Sequence, residues 1–357
     1  MKSSSTSARR AVSGSTDFPW DWRLGDLDKR PKHGHTVFSC FSCGGGSSMG
    51  YKLAGYEVVG NCEIDPDMMK IYRRNNHPEH SFLMDIRDFV ELPDGKIPEA
   101  LKNLDVLDGS PPCSVFSLAG IREEGWNVEK TFREGQERQR LDDLFFFFIR
   151  AAERLKPKVV IAENVKGLVT GNAKGWVNQI VKAFDGVGYA VQMFLFNAAR
   201  MGVPQKRERV FFIAHRKDLH YPKLSMAFDS KPIPFADVRE PYGKAVPEGS
   251  LFGKLMKYRL PSDRKVIDIN RRVRRKESGY TSPINHDDEP VRTITAGGYN
   301  FRMCDGMLMT DKDIISCQTF PQDYDFMDQN VQYVCGMSVP PVMMAKIAEQ
   351  VYRQWLK

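Results

Sequence analysis

The chain alternates short apolar runs with helix-like segments between His35 and His215, and this alternation restricts its fold more than any other feature. The apolar runs are rich in β-branched and aromatic residues, and most of them end in glycine, proline or an acidic residue. They read HTVFSCF, YEVVGNCEID, SFLMDI, LDVLDGS, KVVIAENV, AVQMFLFNA and RVFFIAH. Repetition of strand, helix and strand predicts an α/β fold whose mostly parallel sheet is covered by helices on both faces. Ligands of such sheets bind at the carboxyl ends of the strands, so we expect the functional residues there.

Changes in composition divide the chain into four parts. Residues 1–34 are expected to form a flexible tail, although the two tryptophans of DFPWDWRL (17–24) favour docking on the body of the protein. Residues 35–215 carry the α/β alternation. Residues 216–290 are irregular, rich in Pro, Lys and Arg, and predict a second, smaller domain. Residues 291–357 return to the first domain and end in an amphipathic helix.

Charge and cysteine usage restrict the environment of the protein. The net charge of +7 permits nucleic acid as a partner without establishing it. Seven scattered cysteines do not form a disulfide framework, which indicates a reducing, cytoplasmic context. No apolar run is long enough to cross a bilayer, so no membrane partner is expected. The pair Cys40 and Cys43 lacks a second pair at zinc-site spacing, and we expect no metal.

The ends of the first three strands suggest a nucleotide-like cofactor. The first strand ends in Gly44–Gly46, a run that lets backbone N–H groups approach a ligand closely. The second ends in Glu63, at the distance from the glycines where an acidic residue binds ribose hydroxyls. The third ends at Asp85, which could accept a hydrogen bond from an adenine amino group or cap the next helix. These residues predict a cofactor that contains adenosine.

The ends of later strands carry groups suited to covalent catalysis. The fourth strand leads into two prolines and then Cys113, a rigid setting that favours a nucleophilic thiol over a buried one. The fifth strand ends in Glu163 and Asn164, which we expect to lie near that cysteine. The segment PQKRER (204–209) presents alternate polar residues on one side of an extended chain, and surface ion pairs are the alternative role for its arginines.

Taken in order, these blocks resemble the C5-cytosine methyltransferases over residues 35–215 and 290–350. FSCGGGSSMG is similar to the cofactor loop of that family, PPCSVFS to its catalytic loop, ENV to its glutamate motif and QKRER to its Gln-x-Arg-x-Arg motif. RTIT, QTFPQDY and GMSVPP are similar to its last blocks. The chain departs from the family pattern at Cys43, commonly glycine, at Ser114, commonly glutamine, and at Met337, commonly asparagine.

The resemblance implies a Rossmann-like fold that uses S-adenosylmethionine, and it assigns roles to individual residues. The catalytic residues that it implies are Cys113, Glu163, Arg207 and Arg209. The cofactor-binding residues that it implies are Phe41, Gly44, Gly45, Gly46, Glu63, Ile64, Asp85, Ile86, Asp108 and Ser338. The substrate-binding residues are Pro112, Asn164 and Gln205 in the first domain, together with Arg271, Arg272, Arg274 and Arg275 in the RRVRRK cluster of the second.

The activity implied is that of a DNA (cytosine-5)-methyltransferase, in which Cys113 adds to C6 of a flipped cytosine and C5 receives the methyl group. Residues 216–290 would then recognise the target, and residues 117–140 would form a mobile loop over the site. The expected partners are double-stranded DNA with a target cytosine and a companion restriction endonuclease. We expect a monomer in the bacterial cytoplasm, encoded by a bacterium or a phage and associated with the nucleoid. Two alternatives are the same chemistry on structured RNA, and a regulator that binds cofactor and nucleic acid without turnover.

Overall fold

A computed structural model describes residues 18–112, 143–170, 174–277 and 281–357. The predicted nucleophile Cys113, its neighbour Ser114 and the predicted mobile loop at 117–140 lie outside these described residues.

The described residues of the main domain contain eight strands: β1 (Thr36–Cys40), β2 (Glu57–Glu63), β3 (His80–Leu83), β4 (Val106–Gly109), β5 (Val159–Val165), β6 (Tyr189–Asn197), the separate short β7 (Gln205–Lys206) and β8 (Glu208–Arg216). The seven predicted strands form one sheet in the order β3-β2-β1-β4-β5-β8-β6. The sheet is parallel except for β8, which runs antiparallel to both β5 and β6. The connection from β6 to β8 is too short for the helical crossover that parallel neighbours need. The predicted mostly parallel α/β sheet is confirmed.

Helices cover both faces of the sheet, as predicted. They are α1 (Gly46–Leu53), α2 (Pro66–Asn76), α3 (Ile86–Glu91), α4 (Glu99–Lys102), α5 (Leu144–Leu155), α6 (Lys174–Gly186), α7 (Leu251–Met256), α8 (Val266–Arg274), α9 (Asp311–Gln318), α10 (Val331–Met337) and α11 (Pro341–Val351). Val37 on β1 enters a core shared with α1 and α11, whereas the next residue, Phe38, enters a core shared with α3 and α5. Successive residues of a strand point to opposite faces of the sheet, and here consecutive residues are apolar. Both faces of the sheet are therefore buried.

The first described residues, which belong to the predicted tail, pack against the body of the protein at Phe18 and Trp22. Leu24–Lys29 form a short 3-10 helix. Trp22 before it is only 1% exposed and lies in the core on the α1 side of the sheet. The docking of the tryptophan pair that DFPWDWRL suggested is therefore confirmed for Trp22.

A second, smaller core lies beside the sheet and crosses the predicted boundary at residue 290. It joins α7 and α8 to two short parallel strands, β9 (Ile284–Asn285) and β11 (Phe301–Arg302). The strand β10 (Val291–Arg292) between them pairs with β7 of the main body. Residues 224–238, expected in the second domain, instead place Leu224 and Phe235 in the main core. Short elements such as these give no measurable period in the sequence, and the domain boundaries stay predictions.

No helix in the described part of the chain is both long and apolar enough to cross a membrane.

Candidate active site and cofactor cleft

A cleft of about 820 Å³, its open mouth included, lies at the carboxyl ends of β1, β2 and β4, the edge where function was expected. Sulfur-containing and apolar side chains form most of its wall, and acidic groups lie at the strand ends. Its lining residues are Phe41, Cys43, Cys62, Glu63, Ile64, Asp65, Met68, Met84, Asp85, Ile86, Ser110, Pro112, Leu144, Tyr333 and Met337.

Five of the ten residues predicted to bind the cofactor are in this lining, and so is Pro112, which was predicted to contact the substrate. The five are Phe41, Glu63, Ile64, Asp85 and Ile86. Leu144, Tyr333 and Met337 line the same cleft from distant parts of the chain. No local pattern marks them, because their place depends on how α5 and α10 pack against the sheet.

The Glu63 carboxylate is held in place by backbone amides. One oxygen accepts from the N–H of Cys43 at 2.7 Å, and the other accepts from Ile64 and Asp65 at 2.9 Å each. Burial raises the pKa of Glu63, and these amide hydrogen bonds oppose that shift. Since a carboxylate has about four acceptor positions, three amides leave roughly one for a ligand hydroxyl.

Asp85 serves as a helix cap and also lines the cleft. Its Oδ1 accepts from the backbone N–H of Arg87 at 2.8 Å, which caps α3, and its Oδ2 pairs with the Arg87 guanidinium at 3.0 Å. The two roles that the sequence left open for this residue are therefore compatible.

The glycines of the first loop allow the C-terminal helices to pack closely against it. Gly45 has φ +77°, and a Cβ on Gly44 would overlap the side chain of Val334. A Cβ on Gly46 would likewise overlap the carbonyl oxygen of Val339. None of these three glycines is in the cleft lining. Their backbone contact with a cofactor therefore stays a prediction, whereas their contact with residues 334–339 is a feature of the fold.

The loop takes left-handed backbone conformations at two residues that are not glycine. Phe41 has φ +53° and Cys43 has φ +45°, the region that glycine occupies without strain. This explains why glycine is common at the position of Cys43 in the family that the chain resembles. Burial, followed by the Glu63 carboxylate, raises the pKa of the Cys43 thiol to about 12, so Cys43 is a neutral thiol and not a nucleophile.

The described residues contain no group of three or more His, Cys, Asp or Glu side chains arranged to hold a metal ion. Cys40 is buried on β1, and burial raises the pKa of its thiol well above the ordinary value.

Asp108 and Ser338, both predicted to bind the cofactor, lie behind the glycine loop and outside the cleft lining. The Asp108 carboxylate accepts from the hydroxyls of Ser39 and Ser47 at 2.8 Å each and from Tyr51 at 3.3 Å. Burial is the main cause that raises its pKa to about 7. The Ser338 hydroxyl donates to the carbonyl of Val334 at 2.8 Å. Both residues thus support the loop, and their contact with a cofactor stays a prediction.

Glu163 and Arg209 form the ion pair at the centre of the predicted catalytic site. The Arg209 Nε lies 2.8 Å from Glu163 Oε1, and their side chains are only 15% and 10% exposed. They come from the adjacent antiparallel strands β5 and β8. Burial lowers the pKa of Arg209 while Glu163 opposes that shift. A carboxylate and a guanidinium thus face a common, nearly dry site, where both can bind a polar heterocycle.

Asn164 connects this pair to the segment that leads to Cys113. Its Nδ2 donates to the carbonyl of Pro111 at 3.0 Å, and its Oδ1 accepts from the N–H of Val165 at 2.9 Å. Pro112, the next residue, lines the cleft. The strand that carries Glu163 is thus tied to the two prolines that precede Cys113 in the sequence.

Gln205 and Arg207 are buried and hold distant segments together. The Gln205 amide donates to Gln318 Oε1 at 2.6 Å and accepts from the N–H of Ile294 at 3.0 Å. Arg207 donates to the carbonyls of Ile294 at 3.0 Å and Gly336 at 2.9 Å. With their polar ends engaged inside the protein, these side chains act as positioning residues. The substrate contact of Gln205 and the catalytic role of Arg207 stay predictions.

The four arginines of the basic cluster differ in what they contact. Arg272 makes two hydrogen bonds to the Asp263 carboxylate, at 2.7 and 2.9 Å, and so stabilises the small domain. Arg271 pairs with Glu277 at 3.3 Å. Arg274 and Arg275 are exposed, and among the described residues they contact no acidic side chain. Only these last two keep their charge unpaired, so they remain the phosphate-contact candidates.

Comparison with known proteins identifies the family. The model of the C-5 cytosine-specific DNA methylase family matches residues 35–353. Type II methyltransferase M1.HphI of Haemophilus parahaemolyticus is 28% identical over 345 residues, which cover 89% of this chain and 87% of that protein. Type II methyltransferase M.NgoPII of Neisseria gonorrhoeae is 29% identical over 343 residues, which cover 88% and 94% of the two chains.

Solved structures share the fold. A protein described as a DNA modification methyltransferase encoded within an Escherichia coli prophage has a TM-score of 0.65 at 19% identity, covering 90% of this chain and 100% of that one. A DNMT2 variant of Spodoptera frugiperda has a TM-score of 0.61 at 17% identity, covering 89% and 99%. The match of the family model over most of the chain shows that this protein belongs to the C-5 cytosine-specific DNA methylases and is a DNA (cytosine-5)-methyltransferase.

Proposed function

We propose that the protein methylates C5 of a flipped cytosine in double-stranded DNA, through a covalent bond between Cys113 and C6. The observation that carries the proposal is the tie from Asn164 to Pro111. This hydrogen bond ties the strand of the Glu163–Arg209 pair to Pro111, and the next residue, Pro112, lines the cleft and precedes Cys113 in the sequence.

The residues of the chain have complementary tasks in this reaction. The Cys113 thiolate attacks C6 and forms the sulfur–carbon bond. Glu163, in its protonated form, donates its proton or a hydrogen bond to N3, which draws electrons from C6 and stabilises the enamine that develops; a proton transferred to N3 returns to Glu163 when the C6–sulfur bond breaks. Arg209 donates to the cytosine O2 while it keeps Glu163 oriented. After C5 is methylated, its proton leaves to solvent and the C6–sulfur bond breaks, which restores the thiolate.

The cleft residues fit S-adenosylmethionine. Glu63 keeps about one acceptor position for a ribose hydroxyl. Asp85 can accept from an adenine amino group, and the apolar wall around Ile64 and Ile86 suits the adenine ring. When bound, this cofactor supplies an electrophilic methyl group. Asp65 and Glu63 would place negative charge near its positive sulfonium.

The relatives support DNA as the partner and a role beside a nuclease. M1.HphI and M.NgoPII are both named Type II methyltransferases. We propose that this chain acts on DNA as a monomer, with a companion restriction endonuclease, in the cytoplasm and at the nucleoid. The small domain, with Arg274 and Arg275 exposed, would contact the DNA around the target cytosine.

Trapping on 5-fluorocytosine tests the proposal. The fluorine at C5 cannot leave as a proton does, so the enzyme should stay bound to the DNA after methyl transfer from labelled S-adenosylmethionine. We expect a labelled protein–DNA adduct with wild type, none with Cys113→Ser, and a loss of at least about 100-fold in rate with Glu163→Gln. Bisulfite sequencing of the product then gives the recognition sequence.

The matched control is Cys304→Ser, which removes an exposed cysteine of the small domain and should leave trapping unchanged. An adduct that survives Cys113→Ser would refute the covalent mechanism. Label entering total tRNA and never DNA would establish the RNA alternative, and cofactor binding without any methyl transfer would establish the regulator.

A further inference from the structure

The N-terminal strap, residues 18–30, lies before residue 35, where the match to the family model begins. Its anchor is Trp22, whose indole is buried in the main core and whose Nε1–H donates to the carbonyl of Thr319 at 2.9 Å. The carbonyl of Trp22 accepts in turn from the N–H of Gln322 at 2.9 Å. The strap therefore holds the turn that follows α9 from two sides.

A third hydrogen bond and a ring contact complete the attachment. The N–H of Leu24 donates to Asp323 Oδ1 at 2.9 Å. The Phe18 ring contacts two cations, the guanidinium of Arg30 at 5.1 Å from the ring centre and the ammonium group of Lys346 on α11 at 5.5 Å. The strap thus contacts both the turn at residues 319–323 and the helix that packs on α1.

The turn that the strap holds is strained. Thr319 is β-branched and has φ +58°, a left-handed conformation that such residues rarely adopt. Its hydroxyl accepts from the N–H of Val342 at 3.1 Å, and its carbonyl accepts from Trp22. Its N–H donates to the carbonyl of Ser316 at 3.1 Å, within the preceding helical turn. A strained conformation persists only where its surroundings fix it, and Trp22 supplies one of the hydrogen bonds from outside that turn that fix this one.

The same turn forms the underside of the glycine loop. The Tyr324 hydroxyl donates to the carbonyl of Gly44. A Cβ on Gly46 would lie 3.2 Å from the ring of Phe320. The rings of Phe320 and Tyr324 meet edge to face, 5.0 Å apart. A shift of the turn therefore moves the residues on which the loop rests.

We propose that Trp22 is a positioning residue for the cofactor loop. It acts through the turn at Thr319, which supports the loop through Phe320 and Tyr324. The effect on cofactor affinity rests on the proposed use of S-adenosylmethionine, whereas the effect on the loop does not.

The test replaces Trp22 by phenylalanine, which fills most of the buried space and removes the Nε1–H donor. The net value of one hydrogen bond corresponds to about a two- to tenfold change in an equilibrium constant. We expect the dissociation constant for S-adenosylmethionine, measured by calorimetry, to rise by that factor while the KM for DNA stays within about twofold. Maleimide labelling of Cys43, resolved by peptide mass spectrometry, should become faster by a similar factor. In the folded loop burial and Glu63 keep this thiol neutral and slow to react, so labelling reports how often the loop opens and exposes it.

The matched control is Trp355→Phe. Trp355 is buried in the same core and its Nε1–H also donates to a carbonyl, that of Pro222 at 2.8 Å, on a segment that does not support the loop. This variant should lose thermal stability to a similar extent and change neither cofactor affinity nor Cys43 labelling.

Equal changes in the two variants, or no change with Trp22→Phe, would overturn the proposal. If wild type does not bind S-adenosylmethionine at all, the proposed function fails and the labelling result alone decides. Faster Cys43 labelling confined to Trp22→Phe upholds the positioning role, and unchanged labelling refutes it.

Discussion

Replacing Asp108 by asparagine should change how the stability of the protein depends on pH. Burial raises the pKa of this carboxyl from 3.8 to about 7, and the charge of Glu163 adds to the shift, while the hydroxyls of Ser39, Ser47 and Tyr51 oppose it. In the unfolded chain an aspartate has its ordinary pKa. The folded protein therefore holds a proton here, between these two pKa values, that the unfolded chain has released.

The sign follows from this difference in bound protons. Stability falls as pH rises from about 4 to about 7, because over that range ionising Asp108 costs more in the folded state than in the unfolded state. Above pH 7 the loss is complete and constant. Each pH unit between these two pKa values corresponds to ~1.4 kcal/mol of stability. From pH 5 to pH 8 the wild type therefore loses ~3 kcal/mol through this one group, nearly all of it below pH 7. Asp108→Asn removes the titration and keeps an acceptor oxygen for the surrounding hydroxyls.

The assay is urea unfolding of both proteins at pH 5, 6, 7 and 8. The difference in free energy of unfolding, variant minus wild type, should increase by ~3 kcal/mol across that range and level off above pH 7. Asp325→Asn is the control, since its Arg74 partner lowers the pKa of Asp325 and this exposed carboxyl stays ionised throughout. A difference for Asp108→Asn that is independent of pH would show that Asp108 does not titrate in this window, and would refute the reasoning.

Two further outcomes are expected. Cys43→Gly should stabilise the fold by about 1 kcal/mol, because glycine takes φ +45° without strain, and should leave cofactor affinity intact; a lower melting temperature would contradict this. The double variant Arg274→Ala with Arg275→Ala should weaken DNA binding and reduce the slope of log affinity against log salt by about 2, whereas an unchanged slope would show that neither arginine contacts a phosphate.

Much of the main domain could be predicted from the sequence because its signals are local. Alternation of apolar residues identified every strand of the large sheet, and strand ends identified Glu63, Asp85 and Glu163 as groups at one edge. That neighbours such as Val37 and Phe38 are buried on opposite faces of the sheet follows from the two-residue period of a strand. The order of the blocks, and no single block, indicated the family to which the chain belongs.

The roles of other residues depend on partners far away in the chain. Gln205 binds Gln318, Arg207 binds Gly336, and Trp22 binds Thr319, each at a separation of more than 100 residues. A polar side chain at a strand end has the same local pattern whether it faces a cleft or a second segment of the protein. The sequence therefore did not reveal that Gln205 and Arg207 connect distant segments of the fold, and their predicted roles at the substrate stay predictions.

The glycine loop shows which features follow from local sequence and which depend on tertiary packing. By itself the sequence determined that a tight turn follows β1 and that an acidic residue ends β2, because turns and strands follow from residues a few positions apart. Only the tertiary structure decided that Gly44 and Gly46 make room for the C-terminal helices and that Asp108 lies beneath the loop. Whether a position has room only for glycine, or buries a carboxyl group, depends on the distant segments that pack against it. No local sequence pattern carries this information.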